Sequence, residues 1–332
     1  MASNMSRQDT SRIMTKVGSP TFNRPSGTVG KLPDTTSACN TPATTELFAA
    51  NDTYTEVMVG GLSTACLSRD GLARMMLKDC LDARTQDNPH PKLVFASNGH
   101  AIALAAQDEA FRFTFEQADI IHADGQAAVF ASRLLTKTPI PERSATTDFI
   151  HDASKVAAEH GLRFFMLGAT EEANAEAVRV LRETYPGLQI VGRRHGYFGR
   201  DEEDEICDEI NLTQPDVIWV GLSVPTEYEF AVRNKTRLKA GWLVTCGGCY
   251  NFVTGAYKRA PEWMQGCGLE WLFRLVKEPK RLFWRYAVTN PLAIFLLLTR
   301  TRQDDNVEAR YPIRKAIRLL PCRTLIVRRH IS

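Results

Sequence analysis

The chain lacks the short signatures that would settle its chemistry directly. No Gly-x-Gly-x-x-Gly and no Gly-x-x-x-x-Gly-Lys-Ser/Thr stands at a strand-to-helix turn, which weakens both a dinucleotide cofactor and a P-loop nucleotide site. No Asp-x-Asp pair occurs in the regular part of the chain to hold a nucleotide's metal. The eight cysteines, at 39, 66, 80, 207, 246, 249, 267 and 322, follow no framework spacing, and no secretory signal opens the chain, so reduced thiols in a cytoplasmic setting are expected. Cys246-Gly-Gly-Cys249 has redox or zinc spacing. A zinc site would want a second such pair or a His pair, and a thioredoxin-like site a helix starting at its first Cys, so the spacing reads as coincidence. The apolar run 291–298 is far too short to span a bilayer alone.

What is present points to a folded body with an unusual tail. With 332 residues, 44% of them hydrophobic and 24% charged, the chain can bury one large core plus an appendage, or two modest cores. The net charge of +3 conceals a division: residues 273–332 carry 14 basic against 4 acidic side chains, net +10, and the first 272 carry 27 against 34, net −7. A weakly acidic globule with a basic tail seeks an anionic surface. Residues 1–52, rich in Ser, Thr, Pro and Asn, read as a flexible leader, and the rival reading of an organelle address lacks an Arg-rich amphipathic face.

From residue 54 the pattern is regular. Strands are expected over 56–59, 92–96, 118–121, 162–167, 188–191, 216–222 and 242–245. Helices are expected over 69–84, 101–106 with extension through Phe111 and Phe115, 126–135, 147–160, 171–185, 202–212 and 227–238. Such alternation predicts an α/β fold: a Rossmann-like parallel sheet with helices on both faces, here over 53–270. Its strand ends carry Ser97, Asn98, His122 to Gly125, Gly168 to Thr170, Gly221 and the pair Gly247 and Gly248, small and polar residues that let backbone approach a phosphate or sugar. Asp124 lies at the carboxyl end of a strand, where open α/β sheets bind ligands. It can cap the following helix or do chemistry, and this stretch alone leaves both open.

Residues 271–332 break the alternation. Trp271, Trp284 and Tyr286 stand among basic residues ahead of the short apolar run, which fits a basic, amphipathic appendage lying in the lipid headgroup layer. A core helix with a solvated charged face is the plainer alternative.

The segments IIHADG, FFMLGA with YPGLQIVGRRHGYF, PDVIWVGLS and TGAYKRAPEWMQGCGLEWLFRLVKEPKRLFWRY resemble the WecG/TagA/CpsF family of bacterial glycosyltransferases, in the same order over about 93–286. The resemblance implies an inverting, metal-independent transfer from a nucleotide sugar to a lipid-diphosphate-linked sugar at the cytoplasmic membrane face. Family donors include UDP-linked N-acetylmannosamine, its uronic acid, and glucose. The implied fold is a Rossmann-like core with a basic C-terminal appendage that docks on the membrane and reaches over the site. The family's proposed base falls on Asp124 and its asparagine after the first core strand on Asn98. Three departures stand out: Ala96 replaces a usual Thr, Pro225-Thr226-Glu227-Tyr228 replaces Pro-Lys-Gln-Glu, and Tyr250-Asn251 replaces Phe-Asp. They bear on the donor sugar more than on the reaction class.

Inverting sugar transfer needs a carboxylate to take the proton of the attacking hydroxyl, and cations or N–H donors to hold the departing diphosphate. Asp124 suits the first role. Ser97, Asn98, Gly125, Gly168, Thr170, Gly221, Gly247 and Gly248 are candidate substrate contacts, Gly168 to Thr170 for the nucleotide. Arg193 or Arg194, and Arg281 or Arg285 from the appendage, are candidates for the diphosphate. No metal ligands and no cofactor are expected. The expected partners are a UDP-sugar, a polyprenyl-diphosphate-linked sugar and an anionic membrane surface, with no nucleic acid, and self-association is left open. A Rossmann oxidoreductase should instead bind NAD(P). A nucleic-acid binding protein should show steep salt dependence on DNA or RNA, and a membrane adaptor should tolerate loss of Asp124.

Overall fold

The computed structural model describes residues 54–303; the expected leader and the end of the appendage, 304–332, lie outside the described residues. A hairpin opens it, β1 (Glu56–Val59) and β2 (Leu62–Ala65), followed by α1 (Arg69–Arg84) and β3 (Lys92–Ser97). Next come α2 (Gly99–Gln107), α3 (Glu109–Phe115), β4 (Ile120–Ala123), α4 (Gln126–Leu135) and α5 (Thr146–His160). The alternation continues through β5 (Arg163–Gly168), α6 (Glu171–Thr184), β6 (Gln189–Arg194), α7 (Glu203–Leu212), β7 (Val217–Gly221), α8 (Thr226–Asn234) and β8 (Trp242–Thr245). Short α9 (Cys249–Val253) and α10 (Glu262–Gly266) lead to α11 (Glu270–Lys277), α12 (Pro279–Thr299) and β9 (Arg302–Gln303).

The main sheet has six strands in the order β4-β3-β8-β7-β5-β6, and every adjacent pair is parallel. Its central strands are buried on both faces, which is why they read as unbroken apolar runs. Alternate residues supply two aromatic cores. Trp219 packs with Phe149 and Phe164, and Phe149 also meets Trp242, whereas Phe95 meets Phe115 and Tyr228. Helices α1, α5, α9 and α6 form one layer; α2, α3 and α8 form another, with α12 laid along α2.

The structure departs from the expectation in several elements. The expected helix beginning at 101 is two helices, because Asp108 adopts an extended backbone and its side chain accepts from Phe111 N, capping α3 at 3.0 Å. The apolar run 291–298 is the second half of the 21-residue α12, a helix long and apolar enough to cross a membrane by length and composition. A second, antiparallel sheet, β2-β1-β9, appears where one strand was expected. Its hairpin turns at Gly60 (φ +60°) and Gly61 (φ +94°), the left-handed backbone that two-residue hairpin turns favour. Through β9 the end of α12 is fastened to the start of the fold, and Leu296 and Leu297 are buried in the core.

Candidate active site

Because all six main strands are parallel, their carboxyl ends fall on one edge. Asn98 follows β3 and caps α2, its Oδ1 accepting from His100 N and Ala101 N at 3.1 Å. Its Nδ2 donates to Asp124 Oδ2 at 3.1 Å. Asp124 follows β4; its own N–H donates to the Ser97 carbonyl at 2.8 Å, and its Oδ1 accepts from Thr146 N at 3.2 Å. Its side chain therefore does not cap α4, whose N-cap position is Gly125 with no side-chain bond. Asp124 is instead held by Asn98 and by the first N–H of α5, at the carboxyl edge of the sheet.

His122 braces this arrangement from below. Its Nδ1–H donates to the Ser144 carbonyl at 2.8 Å, while Ser144 N donates to Ala123 O, so the segment that presents Thr146 N is zipped to β4. Burial pushes the imidazole's pKa down, only partly opposed by Asp124, which keeps it neutral.

The other expected residues line the same edge. Gly168 ends β5 with φ +128°, and a Cβ there would collide with the Gly221 carbonyl at the end of β7, so the backbones meet with no side chain between them. Thr170 caps α6 through Oγ1, accepting from Ala173 N at 3.2 Å. Ala169 (φ +57°) and Ser223 (φ +69°) hold left-handed conformations in the loops after β5 and β7, local strain of the kind concentrated at functional edges. Gly247 and Gly248 form the turn from β8 into α9. The Ser97 hydroxyl is buried without a hydrogen-bond partner among the described residues.

The arginines divide. Arg193 ends up on β6 at the outer strand, paired with Glu171 at 2.6 Å, and Arg194 pairs with Glu209 at 2.7 Å. Arg281 is exposed and pairs with Glu278 at 2.5 Å. Arg285 stacks on Tyr286 and stands close enough to His100 for its charge, after burial, to help lower that imidazole's pKa. Gly99, beside Asn98, packs against Ala293 of α12. The middle of α12 is thus laid against the asparagine side of the site.

Sequence reasoning missed Arg143 and Arg259. Arg143 donates to Glu270 at 2.7 Å, Gln265 at 2.8 Å and Asp148 at 3.2 Å. Arg259 donates to Thr147 at 2.7 Å and Asp148 at 2.8 Å, and its charge interacts with Asp124. Burial alone would raise the Asp148 pKa, but these guanidiniums outweigh it and hold the carboxyl low. Arg259 lay within a quoted segment; Arg143 gave no signal at all. Glu227, buried between the β7 and β8 loops, was also passed over as a site residue. Among the described residues no cluster of three or more His, Cys, Asp or Glu side chains is placed to hold a metal ion.

A parallel sheet whose carboxyl edge gathers a tethered carboxylate, helix N-termini and close-packed glycines defines a Rossmann-like α/β protein, and that edge is its candidate ligand site. The chain matches the model of the Glycosyl transferase WecG/TagA/CpsF family over residues 57–306 and belongs to that family; it is a glycosyltransferase. It is 30% identical over 190 residues to the N-acetylglucosaminyldiphosphoundecaprenol N-acetyl-beta-D-mannosaminyltransferase of Staphylococcus aureus (strain MRSA252), covering 57% of this chain and 73% of that relative. The Bacillus spizizenii (strain ATCC 23059 / NRRL B-14472 / W23) protein of the same name is 29% identical over 198 residues, 60% of this chain and 75% of the relative.

Proposed function

We propose that this glycosyltransferase moves a sugar, with inversion and without a metal ion, from a UDP-sugar to a polyprenyl-diphosphate-linked saccharide at the cytoplasmic face of the cell membrane. The observation that carries the reading is Asp124, fixed by Asn98 Nδ2 and Thr146 N at the carboxyl edge. Asp124 takes the proton of the acceptor hydroxyl as that oxygen attacks the anomeric carbon opposite the departing UDP. The new C–O bond forms as the bond to the β-phosphate oxygen breaks, and the electron pair leaves with UDP. Arg259 and Arg143 are the guanidiniums closest in role to a diphosphate clamp, together with the amides of the β5–α6 turn and the N-terminus of α6.

The acceptor assignment follows the names of the relatives, which act on an undecaprenyl-diphosphate-linked N-acetylglucosamine. The appendage suits such a substrate. Trp284, Phe283, Val288, Ile294, Phe295 and Leu298 of α12 are exposed, an apolar row beside Lys280, Arg281 and Arg285. Since the far end of α12 is tied to β1 and the core, the helix serves as a surface float in the headgroup layer and does not span. The test is a screen of UDP-sugars, UDP-N-acetylmannosamine first, against undecaprenyl-diphosphate N-acetylglucosamine. Transfer giving the inverted anomer is expected. NAD(P) binding with no transfer from any UDP-sugar would overturn the reading.

A further inference from the structure

Glu227 is a carboxyl sealed inside the protein, 2% exposed, at the start of α8. It accepts from Gly247 N at 2.8 Å and takes further backbone hydrogen bonds at Ser223 and Leu222. Gly247 has φ +49°, and a Cβ built there would stand 3.8 Å from Glu227 Oε1. One side chain therefore stitches the loop after β7 to the loop after β8, the two loops that continue the edge beyond Asn98. Among the described residues no arginine or lysine pairs with it. The groups that face it are the Asp124 carboxyl, the thiols of Cys246 and Cys249 and the phenols of Tyr228 and Tyr250. Burial pushes both thiols and both phenols up, so they stay neutral and Asp124 is the charged neighbour.

We propose that Glu227 is a positioning residue that works protonated, fastening the two loops without adding charge, and that its ionisation weakens binding of the anionic sugar-nucleotide. This rests on the proposed UDP-sugar reading. Burial first, and the nearby Asp124 as well, push the Glu227 pKa up to about 8 against the backbone N–H bonds that lower it. Below that value the side chain is neutral, and the amide of Glu227→Gln matches its shape and charge. Above it a second buried anion joins Asp124 beside a ligand that brings its own diphosphate.

The probe is UDP, titrated calorimetrically from pH 6.5 to 9.5 into the wild-type protein and Glu227→Gln. If binding requires the protonated form, the wild-type Kd rises about tenfold between pH 7 and 9, while Glu227→Gln stays near the wild-type low-pH value throughout. Wild-type binding at pH 8.5, compared across buffers of different ionisation heat, should take up about three-quarters of a proton. That measurement needs no variant, so a Glu227→Gln protein that fails to fold leaves the proposal testable. Equal weakening with pH in both proteins, or no proton uptake by the wild type, overturns the role of Glu227 alone. Absence of UDP binding at every pH overturns it together with the donor reading.

Discussion

Asn98 serves two masters with one side chain: its Oδ1 caps α2 and its Nδ2 holds Asp124 Oδ2 at 3.1 Å. The proposed base is therefore positioned by the same residue that starts a core helix, and neither end of the amide is spare.

Asp124→Asn should lower transfer by about 10²- to 10⁴-fold, the usual cost of a lost general base, with the fold retained and the melting temperature somewhat lowered because an amide can accept only one of the two N–H bonds. Asn98→Ala should also lower both, because the cap alone is worth about 0.5–2 kcal/mol. Turnover above about a third of wild type in the Asp124→Asn protein would reduce that carboxylate to a structural role.

Transfer should survive EDTA, since the diphosphate is assigned to arginines and backbone amides. Activity lost on chelation and restored by Mg²⁺ or Mn²⁺ would contradict this.

Arg259→Ala should weaken UDP binding about ten- to a hundredfold, the loss of a charge-assisted contact of about 1.5–3 kcal/mol. Direct titration with UDP reads this, and unchanged affinity would remove Arg259 from the clamp.

At the opposite end of the sheet, buried Asp216 accepts from Arg84 at 2.7 and 2.8 Å and from Arg163 N at 2.7 Å. Burial would raise its pKa, yet these bonds win and hold it below the ordinary carboxylate value. The stabilisation is thus complete above the unfolded pKa of about 3.9 and is lost as pH falls through the folded value. Asp216→Asn should cost about 3 kcal/mol near neutral pH, less in acid, and leave the KM for donor unchanged. Chemical denaturation at pH 7 and pH 3 checks both halves.

Trp284→Ala combined with Phe295→Ala should reduce flotation with anionic liposomes at least about tenfold without lowering the melting temperature, because both side chains are exposed. Binding should also weaken with added salt. Undiminished flotation would move the docking surface elsewhere.

The main sheet was legible because parallel strands buried on both faces leave continuous apolar runs, as in 164–167 and 217–220, and small residues mark where each one ends. Asp124 and Asn98 were legible for the same reason, standing where a strand stops. The failures have physical causes. Asp108 broke a helix through a cap whose effect depends on one backbone dihedral. The strand Leu62–Ala65 is four residues long and gains its partner only from the hairpin, while Arg302 and Gln303 pair with the far side of β1. Arg143 and Arg259 sit far apart in the chain and acquire meaning only when Asp148 and Glu270 bring them together.

The pairing of Val57 with Gln303 joins residues roughly 250 positions apart. At a ribosomal rate of about 5–20 residues per second, β1 waits about 12–50 s after its own synthesis before its third strand exists. During that interval the hairpin presents a bare edge to any other chain that can add a strand. Leu296 and Leu297 arrive equally late, so their place in the core stays empty until they are made. The helix proposed to meet the membrane is also the clasp that closes the nascent fold, so a polypeptide interrupted before it would lack both.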